Sequence, residues 1–140
     1  MEMRYTKMTI RVISTRDEIP VLCAGERIVH CAFRPNYREI YDILDMCPKL
    51  EAIQVPKSYY VTIADSVKLL LKSARVELIE GDVQGHRKDV SEYYKVPPAI
   101  LEKIKDMKDR GIPVPEIEET VNKMYVLRPS TVSYLVNRAA

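Results

Sequence analysis

Ser130, Thr131, Ser133, Tyr134 and Asn137 crowd into one short stretch near the end of the chain. Short hydroxyls, a phenol and an amide are the groups that bond base edges and phosphates. Val132, Leu135 and Val136 lie at i, i+3 and i+4, so a helix here buries one apolar stripe and turns the polar set outward. Lys123, Arg128 and Arg138 accompany them, and residues 120–138 contain no Asp or Glu. Three positive charges there follow the acidic Glu116, Glu118 and Glu119. That asymmetry suits a face docked on a phosphate backbone.

A second constellation runs through Gly81, Asp82, Gly85, His86, Arg87 and Lys88. It follows an expected strand, and ligands of open α/β sheets bind beyond the carboxyl ends of parallel strands. Backbone amides with Arg87 and Lys88 suit a phosphate or other anion, and His86 suits acid–base work. The spacing fits no phosphate-loop or dinucleotide fingerprint, so a polar connecting loop with local salt bridges is the competing reading. His30 and Cys31 are adjacent on an expected strand and point to opposite faces, so they cannot chelate one ion together. No metal site, no cofactor and no nucleophile elbow is expected, and the chain is not read as an enzyme.

The elements that must hold these groups are legible in order. Residues 8–14, 27–33, 50–56 and 76–83 read as strands. Thr15 and Glu18 make a capping box for a short helix containing Pro20. A helix follows Asn36, with Tyr37, Ile40, Tyr41 and Leu44 on its apolar face. A single long helix is expected from Ser58 through Ile63, Val67, Leu70 and Leu71. Strands alternating with helices imply a small, mostly parallel sheet with crossover helices, either wound as layers or stacked as leucine-rich-type units. Residues 91–94 are read as a helical turn. Val96, Pro97 and Pro98 then mark a boundary, giving an α/β domain at 1–96 and a helical domain at 97–140. In the latter, Ile100, Leu101, Ile104 and Met107 stripe a helix ending at Gly111. Pro115 opens a second helix and Pro129 a third.

With 46% apolar and 30% charged residues, the composition is that of a globular protein. A net charge of +2 does not announce nucleic acid, so that case rests on where the charges lie. Cys23, Cys31 and Cys47 do not suggest a disulfide framework. No apolar run approaches membrane-spanning length and residues 1–10 lack a signal-peptide core, so a cytoplasmic location is expected.

The tail resembles the helix-turn-helix of the lactose-repressor and related bacterial and phage repressor families. Leu127, Thr131-Val132-Ser133 and Val136-Asn137 carry the likeness. Val126 stands where a turn glycine is usual. Asn122 takes the small buried position of the first helix, or Val121 does if the turn is one residue longer. The α/β region resembles a small family of hypothetical proteins from methanogenic archaea, grouped as a domain of unknown function. The motifs are His30-Cys31-Ala32-Phe33-Arg34-Pro35, residues 47–56 (CPKLEAIQVP) and residues 80–87 (EGDVQGHR). This resemblance implies an archaeal origin and no chemistry.

The expectation is a regulator that binds double-stranded DNA as a homodimer. Lys123, Arg128 and Arg138 would hold phosphates, while Ser130, Thr131, Ser133, Tyr134 and Asn137 would read bases. The α/β domain would dimerise, with Tyr59-Tyr60 and Tyr93-Tyr94 as interface residues, or bind a small-molecule effector. The alternatives are an α/β protein, binder or enzyme, that takes a small molecule or nucleotide at residues 81–89, or a subunit whose helical tail docks on a protein.

Overall fold

The computed structural model describes residues 9–83, 93–95 and 98–124. The chain divides into two compact units, residues 10–94 and residues 1–9 with 95–140.

In the first unit, β1 (Thr9–Ile13), β2 (Ile28–Cys31), β3 (Ala52–Val55) and β4 (Glu77–Glu80) fall within the four segments whose patterning marks them as strands. β1 pairs with β2, β2 with β3 and β3 with β4, each in parallel. β5 (Tyr93–Lys95) completes the order β4-β3-β2-β1-β5. This corrects the helical turn expected at 91–94. Two adjacent tyrosines favour extended backbone, and the phenol of Tyr93 reaches the side chain of Glu26.

The first four strands are neighbours in chain order, so strand–helix units stack side by side. From β2 onward the register advances by a nearly constant step, with Ile28 opposite Ala52 and Ala52 opposite Glu77, whereas the step from β1 to β2, Arg11 opposite Val29, is shorter. A reverse turn sits five residues before each of Ile28, Ala52 and Glu77. Cys23 O accepts from Glu26 N–H at 3.2 Å, Cys47 O from Leu50 N–H at 3.1 Å, and Lys72 O from Arg75 N–H at 3.1 Å.

Val29, Cys31, Ile53 and Val55 alternate onto one face with Ile13 and Leu78. They pack with Ile19, Leu22, Ile40, Ile43, Val67 and Leu71 from the helical segments. Ile10, Val12, Ile28, Ala52 and Ile79 alternate onto the other face and are buried as well. β2 and β3 are therefore buried on both faces along their length, each with a single polar residue, His30 and Gln54, in an otherwise apolar run.

A short 3-10 helix (Arg16–Val21) follows β1. The Glu18 carboxylate accepts from Ser14 N–H at 2.8 Å and Thr15 N–H at 2.9 Å. α1 (Tyr37–Met46) starts at Asn36, whose side chain accepts from Glu39 N–H while Glu39 accepts from Asn36 N–H, both at 2.9 Å. Its buried residues are Ile40 and Ile43, whereas Tyr37 and Tyr41 are 51% and 54% exposed. The apolar stripe thus runs one residue further round than the tyrosines suggest, toward Cys47.

The long helix expected from Ser58 is two helices, α2 (Lys57–Tyr60) and α3 (Asp65–Ser73). Val61, Thr62 and Ile63 are three consecutive β-branched residues, which lose rotamer freedom in a helix. Thr62 Oγ1 donates to Ser58 O at 2.8 Å, and Ala64 is extended. Ile63, Val67 and Leu71 all enter the core on either side of the break.

In the second unit, α4 (Pro98–Asp109) and α5 (Val114–Met124) pack on each other. Gly111 has φ 76°, its N–H donates to Lys108 O and Ile112 N–H donates to Met107 O. This is a Schellman closure, for which glycine carries no Cβ penalty. Ile100, Leu101, Ile104 and Met107 of α4 and Ile117 and Val121 of α5 are buried.

Candidate functional site

The carboxyl edge of the parallel strands brings together three polar side chains from three successive strand ends. His30 is near the end of β2, Gln54 near the end of β3, and Asp82 two residues beyond β4. His30 and Gln54 are register partners, so they share the sheet face opposite the helices. Both are 1% exposed. His30 Nδ1 lies 2.8 Å from Gln54 Oε1. An amide oxygen only accepts, so the Nδ1 proton makes this bond. His30 Nε2 lies 3.8 Å from Asp82 Oδ1, an ion pair when the imidazole is protonated. Asp82 also accepts from Val83 N–H at 2.8 Å, and Gly81 N–H donates to Val55 O at 2.9 Å. The imidazole is thus oriented by an amide and faces an exposed carboxylate at the start of the loop. Its burial keeps the imidazole from acting directly on a solvent-borne substrate.

A second buried cluster joins Arg11 of β1, Glu26 and Tyr93 of β5. Arg11 Nη1 is 3.2 Å from Glu26 Oε2, and the two residues are 4% and 5% exposed. The Tyr93 hydroxyl donates to Glu26 at 2.9 Å, the Arg11 guanidinium stacks 5.3 Å from the Tyr93 ring centroid, and Cys23 N–H reaches the same carboxylate at 3.4 Å. Burial raises the Tyr93 phenol above its ordinary value of 10.0, and the Glu26 carboxylate adds to this against an opposing contribution from Arg11. Such a closed set ties the last strand to the first.

A cleft of about 350 Å³ lies between the 3-10 helix and α1, lined by Arg16, Ile19, Pro20, Glu39, Asp42, Asp45 and Met46. Much of its charge is internally paired, Arg16 with Glu39 and Arg38 with Asp42.

Residues 9–92 match the N-terminal domain of DUF1699, a family of unknown function. The chain belongs to that family. No curated protein and no solved structure matches it. The DUF1699 domain contains all of the carboxyl-edge cluster, whereas the residues expected to contact DNA lie beyond the matched segment.

Of the anion-loop residues, Gly81 and Asp82 take the places given above, while Gly85, His86, Arg87 and Lys88 lie outside the described residues. Lys123 falls in the last turn of α5, its side chain outside the described set. Arg128, Ser130, Thr131, Ser133, Tyr134, Asn137 and Arg138 also lie outside it, as does the Asn122 side chain. Among the described residues no three His, Cys, Asp or Glu side chains gather as metal ligands, and no helix is long and apolar enough to cross a membrane.

Sequence reasoning set His30 against Cys31 and placed Asp82 in the anion loop, and so missed Gln54 and the link from His30 to Asp82. The signal was a register step. His30 and Gln54 hold the same place in consecutive strand–helix units, and residues at one place in stacked parallel strands are neighbours.

Proposed function

We propose that the chain is a DNA-binding regulator whose 95–140 unit carries a helix-turn-helix and whose DUF1699 domain pairs two copies or receives a small effector. The observation that supports this most is the buried Ile117–Val121 stripe of α5, packed in one unit with α4. Val121, 1% exposed, has the burial required of the first helix when the turn is one residue longer. α4 supplies the additional helix that such small DNA-reading domains use. In this reading Lys123, Arg128 and Arg138 neutralise phosphates, and Ser130, Thr131, Ser133, Tyr134 and Asn137 meet base edges. One small module buries too little surface for tight selective binding, which favours a homodimer on paired half-sites.

Mobility-shift titration of the full chain against promoter fragments from its own genome, at several salt concentrations, tests the reading. A sequence-selective shift that weakens steeply with salt is expected. Arg128→Ala should weaken binding to all sequences and reduce the salt slope by about one, whereas Tyr134→Ala should change the preference among them. No shift, or a shift abolished by competitor DNA of any sequence, overturns it.

The carboxyl-edge position of His30, Gln54 and Asp82 favours a second reading, a protein that binds a small molecule or nucleotide at residues 81–89. Calorimetry with nucleotides and simple phosphates decides it. Heat of binding that Asp82→Ala abolishes would support it, and no heat with any of them would remove it.

A further inference from the structure

We propose that Cys23 and Cys47 form a reversible disulfide, making the amino edge of the sheet a thiol-oxidation site. The repeat of the fold carries the argument. Cys23 opens the turn five residues before Ile28, and Cys47 opens the same turn five residues before Ala52. Ile28 and Ala52 are register partners, and Glu51 N–H binds Arg27 O at 2.7 Å, so the two segments enter neighbouring strands alongside one another. Equivalent residues of adjacent strands lie about 4.8 Å apart. Disulfides span Cα separations of roughly 4.4–6.8 Å. Carried back along the two equivalent turns, that spacing brings the two cysteines within bridging reach, and the Cys47 thiol feels the charge of Cys23.

Their surroundings assign them different parts. Cys23 is exposed and Cys47 is 1% exposed, and both are free thiols. The Cys47 thiol is pushed up to about 11, first by burial, then by the charges of Glu26 and Cys23. Cys23 is accordingly the attacking sulfur and Cys47 the resolving one. With a low-molecular-weight disulfide as oxidant, the Cys23 thiolate attacks one sulfur, the external S–S bond breaks and one thiolate leaves. The Cys47 thiol gives its proton to the departing thiolate or to solvent. Its sulfur then displaces the second small thiol from Cys23. Two protein thiols are oxidised to one disulfide and the reagent is reduced to two thiols. The third equivalent position is Lys72, so the pair is specific to the first two turns. Cys23 N–H also reaches Glu26, which receives the Tyr93 hydroxyl, so hydrogen bonds link this turn to β5.

The test treats the full chain with oxidised glutathione, blocks remaining thiols with iodoacetamide after unfolding, and maps it with trypsin without reductant. Cleavage after Arg27, Arg38 and Lys49 places the three cysteines on separate peptides. Free thiols should fall from three to one, Cys31, with the Cys23 and Cys47 peptides joined at a mass two hydrogens below their sum. Cys31→Ser should still lose two thiols, and Cys23→Ser should lose none to an internal bond. A lasting glutathione adduct on Cys23 with Cys47 still alkylable, or Cys23 linked between two chains, overturns the proposal. Should a Cys47 variant fail to fold, the map of the unmodified sequence decides alone.

Discussion

Arg11 and Glu26 on one side of the sheet, and His30 and Gln54 on the other, are all almost fully buried. They are held by different means. Arg11 lies in register with Val29 on the helix-covered face, where its charge is met by Glu26, and the Tyr93 hydroxyl completes the set. His30 is bonded to the neutral amide of Gln54, and the carboxylate near them, Asp82, stays in solvent. The first cluster is a closed charge pair that depends on every member. The second is an imidazole–amide pair with one exit toward the surface. Burial alone therefore does not say which polar group the fold depends on most; the charge of the partner left behind does.

Glu26→Ala should show this difference at its largest. It leaves a guanidinium buried without its carboxylate, a loss of about 3–5 kcal/mol in denaturant unfolding. Arg11→Met with Glu26→Leu should recover more than half of that, because replacing both charges removes the desolvation cost. A single variant no worse than the double would break the distinction between the clusters.

Tyr93→Phe comes next, at about 1.5–3 kcal/mol, the range for a hydrogen bond to a charged group. Its pH dependence has a fixed sign. The folded phenol titrates above its ordinary value of 10.0, so its contribution is complete below that pH and is lost as pH rises through the folded value. The gap between unaltered protein and Tyr93→Phe should therefore narrow in alkaline solution. Cys47, raised from 9.0 to about 11, adds to the alkaline loss in both proteins. A gap that widens above pH 10 would mean the phenolate is the favoured folded form.

These two clusters also mark where the sequence stops being readable. The strands from 9 to 80 follow from β-branched runs, and the Thr15–Glu18 and Asn36–Glu39 contacts are three residues apart, within reach of local rules. The break at Val61–Ile63 was missed because the apolar spacing continues through it while the backbone preference does not. Arg11, Glu26 and Tyr93 meet across separations of 15 and 67 residues, which no local pattern encodes. His30 and Gln54 are an intermediate case. Their 24-residue separation equals the strand-to-strand step, so the pair becomes legible once parallel order and register are known.

Gln54→Leu should cost about 1–2 kcal/mol, the penalty for taking a neutral acceptor from a buried donor. That is well below the cost of Glu26→Ala. Equal losses would show that the imidazole–amide pair is as indispensable as the charged one. In that case the carboxyl edge is a structural feature, and its candidacy as a ligand site weakens.

Asn36→Ala supplies the foot of the scale. Asn36 caps α1 in an exposed setting, where water replaces whatever the side chain gives up. The expected loss is about 1 kcal/mol, and Asn36→Gly should lose only a few tenths, since glycine tolerates the cap conformation and leaves the amide open to water. The measurement matters for both buried clusters, because the same reciprocal bonding is present here without burial. If Asn36→Ala approached the cost of Gln54→Leu, the His30–Gln54 bond would gain nothing from being out of water. The ordering of the two clusters would then rest on the charge of Glu26 alone.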